Sequence, residues 1–369
     1  MDRYAMETLK TLIKAQIRAH GPMDIGAFMA LALGHPTLGY YMTRDPLGAQ
    51  GDFITSPEIS QTFGEMVAVS VIEGWMRGGS MDAHLVELGP GRGTLMADIL
   101  RCAKNAMNFA ERISVHLVET SPALRRAQEQ RLAAYNQPRW HDDVSSLPDD
   151  APLLIVANEF FDALPIRQAV MTERGWHERV VALDGDTLIF AARPLPRAAL
   201  PIKPVGSIVE FSPARDAVMR EICQRLQKQG GFMIVVDYGH AMPDASGDTF
   251  QAVRAHRYVS PLEDVGDADL TSHVDFARLG AIATQEGCAV LGPTSQKDYL
   301  EGLGIQARLE ALMGLNPGNT GLPAGVARLT DAKGMGGLFK VMGVAAQVSY
   351  CRLSPAGLRS PCDKAASGV

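Results

Sequence analysis

The chain holds only five cysteines among 369 residues (Cys102, Cys223, Cys288, Cys351, Cys362), scattered, odd in number and never spaced C-x-x-C. That excludes a disulfide framework or a zinc site as the organising principle and fits a reducing compartment. Basic charge is not in excess either. Thirty-five Lys and Arg face 41 Asp and Glu, for a net charge of −6, which argues against a nucleic-acid partner. No apolar run is long enough to span a bilayer. The first residues lack an apolar signal core, and Asp2 and Glu7 break an acidic-poor transit pattern, so a soluble cytoplasmic protein is expected. What remains, 46% hydrophobic and 21% charged, is the composition of a globular enzyme with a sizeable core, in one large domain or two ordinary ones.

The chain is organised around Leu85-Val86-Glu87-Leu88-Gly89-Pro90-Gly91-Arg92-Gly93-Thr94-Leu95. Apolar residues end a buried strand, three glycines at alternate positions turn the chain tightly, and helical spacing resumes at Leu95. Glycine at such a turn lets backbone N–H groups at a helix start approach a ligand closely, so the stretch reads as a nucleotide-cofactor cradle. A dinucleotide fingerprint would need a glycine where Thr94 stands.

Before this turn the periodicity predicts helices over 4–19 and from Asp24 to Gly34, then a loop through Gly51-Asp52-Phe53-Ile54-Thr55-Ser56-Pro57-Glu58 and an amphipathic helix over 61–75. Ser56 and Pro57 read either as a helix cap and first turn, or with Thr55 and Gly51–Phe53 as one wall of a ligand site. After Met81 short apolar strands (84–89, 114–119, 153–158, 232–237) alternate with helices, which means right-handed crossovers and a parallel sheet. The segments 168–171, 179–183 and 188–192 alternate polar and apolar residues and form an antiparallel excursion. Residues 240–275 read as an insertion, 276–286 and 306–313 as helices, 289–292 and 338–345 as strands, 314–325 as a loop, and the tail from Cys351 as disordered. The fold class is therefore α/β and Rossmann-like, with a mostly parallel seven-stranded sheet. The expected division is a helical N-terminal region, 1–80, contributing to the cofactor site; a core of 81–239 and 287–346 carrying a β-hairpin excursion near 167–193; covering insertions at 240–286 and 293–337; and a tail, 347–369.

Glu87-x-Gly89-x-Gly91-x-Gly93 is the pattern of S-adenosyl-L-methionine-dependent methyltransferases. Glu87 is placed to face the ligand's ammonium group or to hold the turn. Glu119 ends the second strand 30 residues beyond Gly89, where a carboxylate takes both ribose hydroxyls. Asp142 and Asp143 follow the third strand, where the adenine amino group is bound. The fourth strand ends in Asn158-Glu159-Phe160-Phe161-Asp162-Ala163-Leu164-Pro165, beside the position of a transferable methyl. Two carboxylates around aromatics suit a cationic nitrogen, an arginine guanidinium above all, because its fork binds carboxylates bidentately and it must give up a proton to react. The plainer reading makes Asn158 a helix cap and Asp162 a loop charge. Asp237-Tyr238-Gly239-His240 ends the fifth strand by the same cleft. His273, in Thr271-Ser272-His273-Val274-Asp275, is either a catalytic candidate or part of a cap made by Ser272 or Asp275.

With these residues in view, the chain resembles the MidA-like family of class I methyltransferases. The matching segments are Gly51–Glu58, Val86–Thr94, His116–Glu119, Ala157–Pro165, Val236–Gly239 and His273–Phe276. Mitochondrial members of that family methylate an arginine in a subunit of respiratory complex I and are needed for its assembly. The resemblance implies an S-adenosyl-L-methionine site at Glu87, Gly89, Gly91, Gly93, Glu119, Asp142, Asp143, Asn158, Thr55 and Ser56, and a catalytic set of Glu159, Asp162, Asn158 and His273. It further implies a protein substrate, a complex I subunit or similar, a homodimer, and a matrix location if the source is eukaryotic. The rival class is an assembly factor that keeps the pocket without transferring methyl groups.

Overall fold

The structure, a computed structural model, describes residues 8–43, 54–135, 137–195, 200–243, 245–346 and Leu358. The chain forms two compact units, Ile54–Phe161 with Asp216–Ala241 and Val274–Val369, and Met1–Phe53 with Asp162–Arg215 and Met242–His273.

The first unit is built on the sheet that the apolar runs predict. Its strands are β1 (Ala83–Leu88), β2 (Ile113–Val118), β3 (Arg139–His141), β4 (Leu153–Asn158), β5 (Gly231–His240), β6 (Val274–Asp275), β7 (Cys288–Ser295) and β8 (Phe339–Ala346). Along the sheet they run β7-β8-β5-β4-β1-β2-β3, with the two-residue β6 added beside β5. All pairings are parallel except those of β8, which is antiparallel to both neighbours. Every residue of β1 and β4 is buried, as both-sided burial of a parallel sheet requires. The strand order reverses between β1 and β4, and Leu88 pairs with Ala157 there. The glycine turn and the Asn158–Glu159 segment therefore leave the sheet side by side at its carboxyl edge, the place where such sheets bind ligands.

Helices of this unit include α1 (Ser56–Ile59), α2 (Gln61–Arg77), α3 (Thr94–Ala103), α4 (Pro122–Leu132), α5 (Pro213–Gln229) and α6 (Phe276–Gln285). The division expected at residue 80 falls instead between Phe53 and Ile54, because α2 buries Phe63, Met66, Val67, Val71 and Trp75 in the main core cluster. The expected insertion 240–286 is divided as well. Phe276, Leu279, Ile282 and Ala283 of α6 are buried and the helix packs on β7, so it belongs to the sheet unit. Residues 293–337 are mostly helical, and their Tyr299, Leu300, Ile305, Val326 and Leu329 join the same core cluster. The loop expected over 314–325 is confined to 316–320, because the helix Ile305–Leu315 runs into its start and the helix Gly321–Thr330, anchored by buried Val326 and Leu329, takes its second half. The tail expected to be disordered lies outside the described residues except for Leu358, which is buried against Gly343.

The second unit carries the antiparallel excursion. Strands Arg167–Thr172, Gly175–Asp184, Thr187–Pro194 and Ile208–Phe211 pair antiparallel, with Met23–Asp24 added at the edge. Helix Leu9–His20 is capped by Thr8 and helix Ile25–Gly34 by Asp24, whose side chain accepts from the Ala27 N–H at 2.8 Å. Residues 242–273, within the stretch that the sequence reads as an insertion, supply a three-stranded sheet, Gln251–Arg254, Arg257–Val259 and Asp269–Thr271. Tyr41 here donates to Asp269 at 2.8 Å, and burial first, then the charges of Asp269 and Asp162, push its phenol well up.

Candidate functional site

Gly89, Gly91 and Gly93 have φ of 61°, 54° and 77°, left-handed values at which a side chain is strained. A Cβ on Gly89 would also sit 3.0 Å from the Phe160 ring. The Gly89 N–H donates to Val118 and the Gly93 N–H to Pro90, which closes the turn before α3 starts with buried Leu95 and Met96.

Among the described residues, Glu87 Oε2, Asn158 Oδ1 and Ser56 Oγ are buried polar atoms without a hydrogen-bond partner, as is Asp98 Oδ2 on α3. Unsatisfied atoms of this kind are rare in native interiors, and each calls for an explanation. Glu87 is 3% exposed. Burial pushes its carboxyl well above the usual range, offset in part by a bond from the Met96 N–H, with the charges of Asp98 and Glu119 adding to the rise. Asn158 spends its Nδ2 on Glu159 Oε1 at 3.2 Å and leaves its oxygen unsatisfied.

Glu159 stands at φ 51°, unusual for a non-glycine residue and a mark of functional strain. Its N–H bonds to Val236, and its Oε1 accepts from the Ser56 N–H at 2.9 Å as well as from Asn158. This corrects the expected capping of α1. The cap position is Thr55, whose side chain makes no capping bond, and the first N–H is satisfied by a carboxylate more than a hundred residues away. Glu58 of α1 accepts from the hydroxyl of Thr94, so the same helix is tied to the glycine turn through the residue that breaks the dinucleotide pattern. Fully buried Asp237 completes the support. Its two oxygens take the N–H groups of Phe161 and Tyr238 at 3.0 and 2.9 Å, fixing the backbone after Glu159.

Glu119 is 9% exposed and accepts from the Ser121 N–H at 2.8 Å and from Gln128 at 3.3 Å. Burial raises its carboxyl pKa, and those two bonds act in the opposite direction. Arg125 bonds the Glu119 carbonyl, the His141 carbonyl and the Asp142 carboxylate at 2.7, 3.1 and 2.7 Å. Asp142 is exposed, and Asp143 caps a turn of 3₁₀ helix by accepting from the Ser146 N–H at 3.0 Å. Hydrogen bonds from Ser145 and Ser146 hold the Asp143 carboxyl below its usual value.

The other two expected residues, Asp162 and His273, belong to the second unit. Arg215, 5% exposed, bonds the carbonyls of Asp162, Ser272 and His273 at 3.1, 3.1 and 2.7 Å, and so ties the two segments. The helix after His273 is capped by Asp275, accepting from the Arg278 N–H at 2.9 Å, rather than by Ser272. Gly51, Asp52 and Phe53, expected to wall the site, lie outside the described residues. Among the described residues no group of three or more His, Cys, Asp or Glu is placed to hold a metal, and no helix is long and apolar enough to cross a membrane. Sequence reasoning missed Gln128, Arg125 and Trp140, though a glutamine in the apolar stripe Leu124-Gln128-Leu132 is a readable anomaly.

Residues 66–294 match a family described as S-adenosyl-L-methionine-dependent methyltransferases. Among curated proteins the chain is similar to the protein arginine methyltransferase NDUFAF7, mitochondrial, of Danio rerio, at 37% identity over 83% of this chain and 80% of that protein. The human counterpart is 37% identical over 81% of this chain and 74% of its own length. Among solved structures, a COG1565 superfamily member from Burkholderia thailandensis bound to S-adenosyl-homocysteine superposes with a TM-score of 0.82 at 27% identity, covering 95% of both chains. The chain belongs to this family of S-adenosyl-L-methionine-dependent methyltransferases.

Proposed function

We propose that this protein methylates an arginine side chain of a partner protein, in the manner for which its NDUFAF7 relatives are named. The observation that carries the cofactor half of the reading is the pair of unsatisfied buried atoms, Glu87 Oε2 and Asn158 Oδ1, on adjacent strands beside a glycine turn. Those residues fit S-adenosyl-L-methionine. Glu87 and Asn158 would meet the polar groups of its methionine part, the turn would admit the ribose, Glu119 would hold the ribose hydroxyls, and Ser56 would close the wall with Thr55. Asp142 and Asp143 would meet the adenine, although Asp143 already spends one oxygen on its cap. When bound, the cofactor supplies an electrophilic methyl group.

The chain's own contribution is alignment and proton acceptance. A guanidinium stays protonated in water and becomes a nucleophile only when a desolvated carboxylate takes its proton and its lone pair is aimed at the methyl carbon. Glu159 and Asp162 are the proposed carboxylates that grip and deprotonate the acceptor, with Asn158 orienting it, and His273 is proposed for the same step. The acceptor is proposed to be a respiratory complex I subunit or a protein like it, and the active form a homodimer. The named relatives are mitochondrial, which does not support the cytoplasmic location expected from the sequence; the matrix is proposed for a eukaryotic source.

A second reading has one observation in its favour. Glu159 Oε1 is already engaged by Ser56 and Asn158, a structural use that an assembly factor without transferase activity would also need. Calorimetry with S-adenosylhomocysteine is the first test for both. Wild type should bind, and Gly91→Val should not, because a β-branched residue is badly strained at φ 54°. Equal binding by the two would remove the basis of the claim.

A further inference from the structure

Helix α4 carries a polar residue where its own pattern calls for leucine. Leu124, Gln128 and Leu132 form its buried stripe, and Gln128 is fully buried. A buried amide is costly unless all its groups are satisfied, and here each has a partner. The Trp140 indole N–H reaches the amide at 2.7 Å, and because an indole only donates, the atom facing it is Oε1. The amide nitrogen is thereby turned the other way. It donates to the Gly91 carbonyl at 2.7 Å and to Glu119 Oε2 at 3.3 Å. One side chain thus links the middle of the glycine turn to the carboxylate that ends β2, with its orientation set by a third residue.

We infer that Gln128 is a positioning residue for cofactor binding, holding Glu119 and the Gly91 carbonyl in the geometry that receives the ribose diol, with Trp140 fixing its amide. This rests on the reading of Glu119 as the ribose carboxylate. Two consequences follow from the chemistry. Removing the amide takes one donor from a buried carboxylate, so the ionised form that accepts diol hydrogens becomes harder to reach and binding shifts to higher pH. Replacing the amide by leucine restores the apolar stripe, and replacing Trp140 by phenylalanine with it leaves no orphaned indole N–H, so the folding cost is confined to the Gly91 carbonyl and the Glu119 carboxylate, each of which loses one donor.

The test is S-adenosylhomocysteine affinity by calorimetry from pH 6 to 9, with thermal unfolding measured on the same samples, for wild type, Gln128→Leu/Trp140→Phe, Gln128→Glu and Glu119→Gln. The double variant should keep its melting temperature within a few degrees, bind roughly tenfold more weakly or worse, and show its affinity rise displaced to higher pH. Gln128→Glu should bind more weakly at pH 8 than at pH 6, because a second carboxylate then faces Glu119 and the pair binds best when it shares a proton. That single variant also decides the matter if the double variant does not fold. Wild-type affinity and pH profile in either folded Gln128 variant, with Glu119→Gln weakened, overturns the positioning role alone. Wild-type affinity in Glu119→Gln overturns the ribose reading and the inference together.

Discussion

At the scale of single residues, Glu87 makes a sharp prediction. Its carboxyl lies well above the usual carboxylate range because it is buried with one oxygen unsatisfied. Below its raised pKa the ligand-free residue carries a proton, whereas a cofactor ammonium group beside it favours the anion. Binding should therefore release a proton. Calorimetry of S-adenosylhomocysteine in buffers of different ionisation enthalpy, repeated from pH 5 to 8, should give observed heats that vary with the buffer wherever the pH lies below that raised value. Glu87→Gln should remove that variation and weaken binding. Buffer-independent heats in wild type would mean that Glu87 holds the turn and does not meet the ligand's charge. The same contrast marks what the sequence discloses about single residues. Glu87, Gly89, Gly91 and Gly93 stand out because their spacing is local, and Glu119 because it ends a readable apolar strand, whereas the ties of Gln128 to Trp140 and of Ser56 to Glu159 exist only once the fold brings those side chains together.

At the scale of elements, strands β1, β2, β4 and β5 read within a few residues from their apolar runs, because burial on both faces leaves no polar alternation to confuse. The sheet over 251–271 did not read, since its strands are three or four residues long and sit among Asp, Gly and Ser. One device crosses three strands. His84, His116 and His141 lie on β1, β2 and β3, with nitrogen distances of 3.1 Å between the first two rings and 2.9 Å between the last two; Asp150 accepts from His84 at 2.9 Å. A carboxylate only accepts, so His84 donates to Asp150 through Nε2 and meets the His116 ring with its Nδ1. Burial first, then the neighbouring His84 and His141, push His116 down to about 3 from its ordinary 6.5. The folded state thus binds fewer protons than the unfolded state between those values, so stability is full above pH 6.5 and lost as pH falls toward 3. The expected slope is up to about 1.4 kcal/mol per pH unit for one proton. Urea unfolding at pH 7, 6, 5 and 4 measures it. His116→Phe should be less stable at pH 7, because it strips His84 and His141 of a partner, but should show a shallower decline. An unchanged slope would assign the acid sensitivity to other groups.

At the scale of the whole molecule, the question is whether binding the cofactor and transferring its methyl group are separable. The residues that fit the cofactor stand in the sheet unit, on strand ends held by backbone bonds and by α3 and α4, and none of that scaffold depends on an ionised Glu159. The paired substitutions Glu159→Gln and Asp162→Asn keep size and hydrogen-bonding capacity while removing both charges. A side-chain amide oxygen at position 159 can still accept from the Ser56 N–H, so α1 keeps its cap. S-adenosylhomocysteine binding should then stay within a few-fold of wild type. Transfer should fall by about 10²- to 10⁴-fold, the contribution usual for a positioned proton acceptor. Mass spectrometry of the proteome from cells carrying wild type, the double variant or no protein reads the product directly. An arginine-methylated peptide should be present only with wild type. If the double variant instead restores the wild-type cell's phenotype and no methylated peptide depends on the protein, the pocket serves assembly and the transferase reading falls. The measurement is decisive because it does not require the acceptor to be known beforehand. A carboxylate that merely capped α1 would leave methylation unchanged when its charge alone is removed.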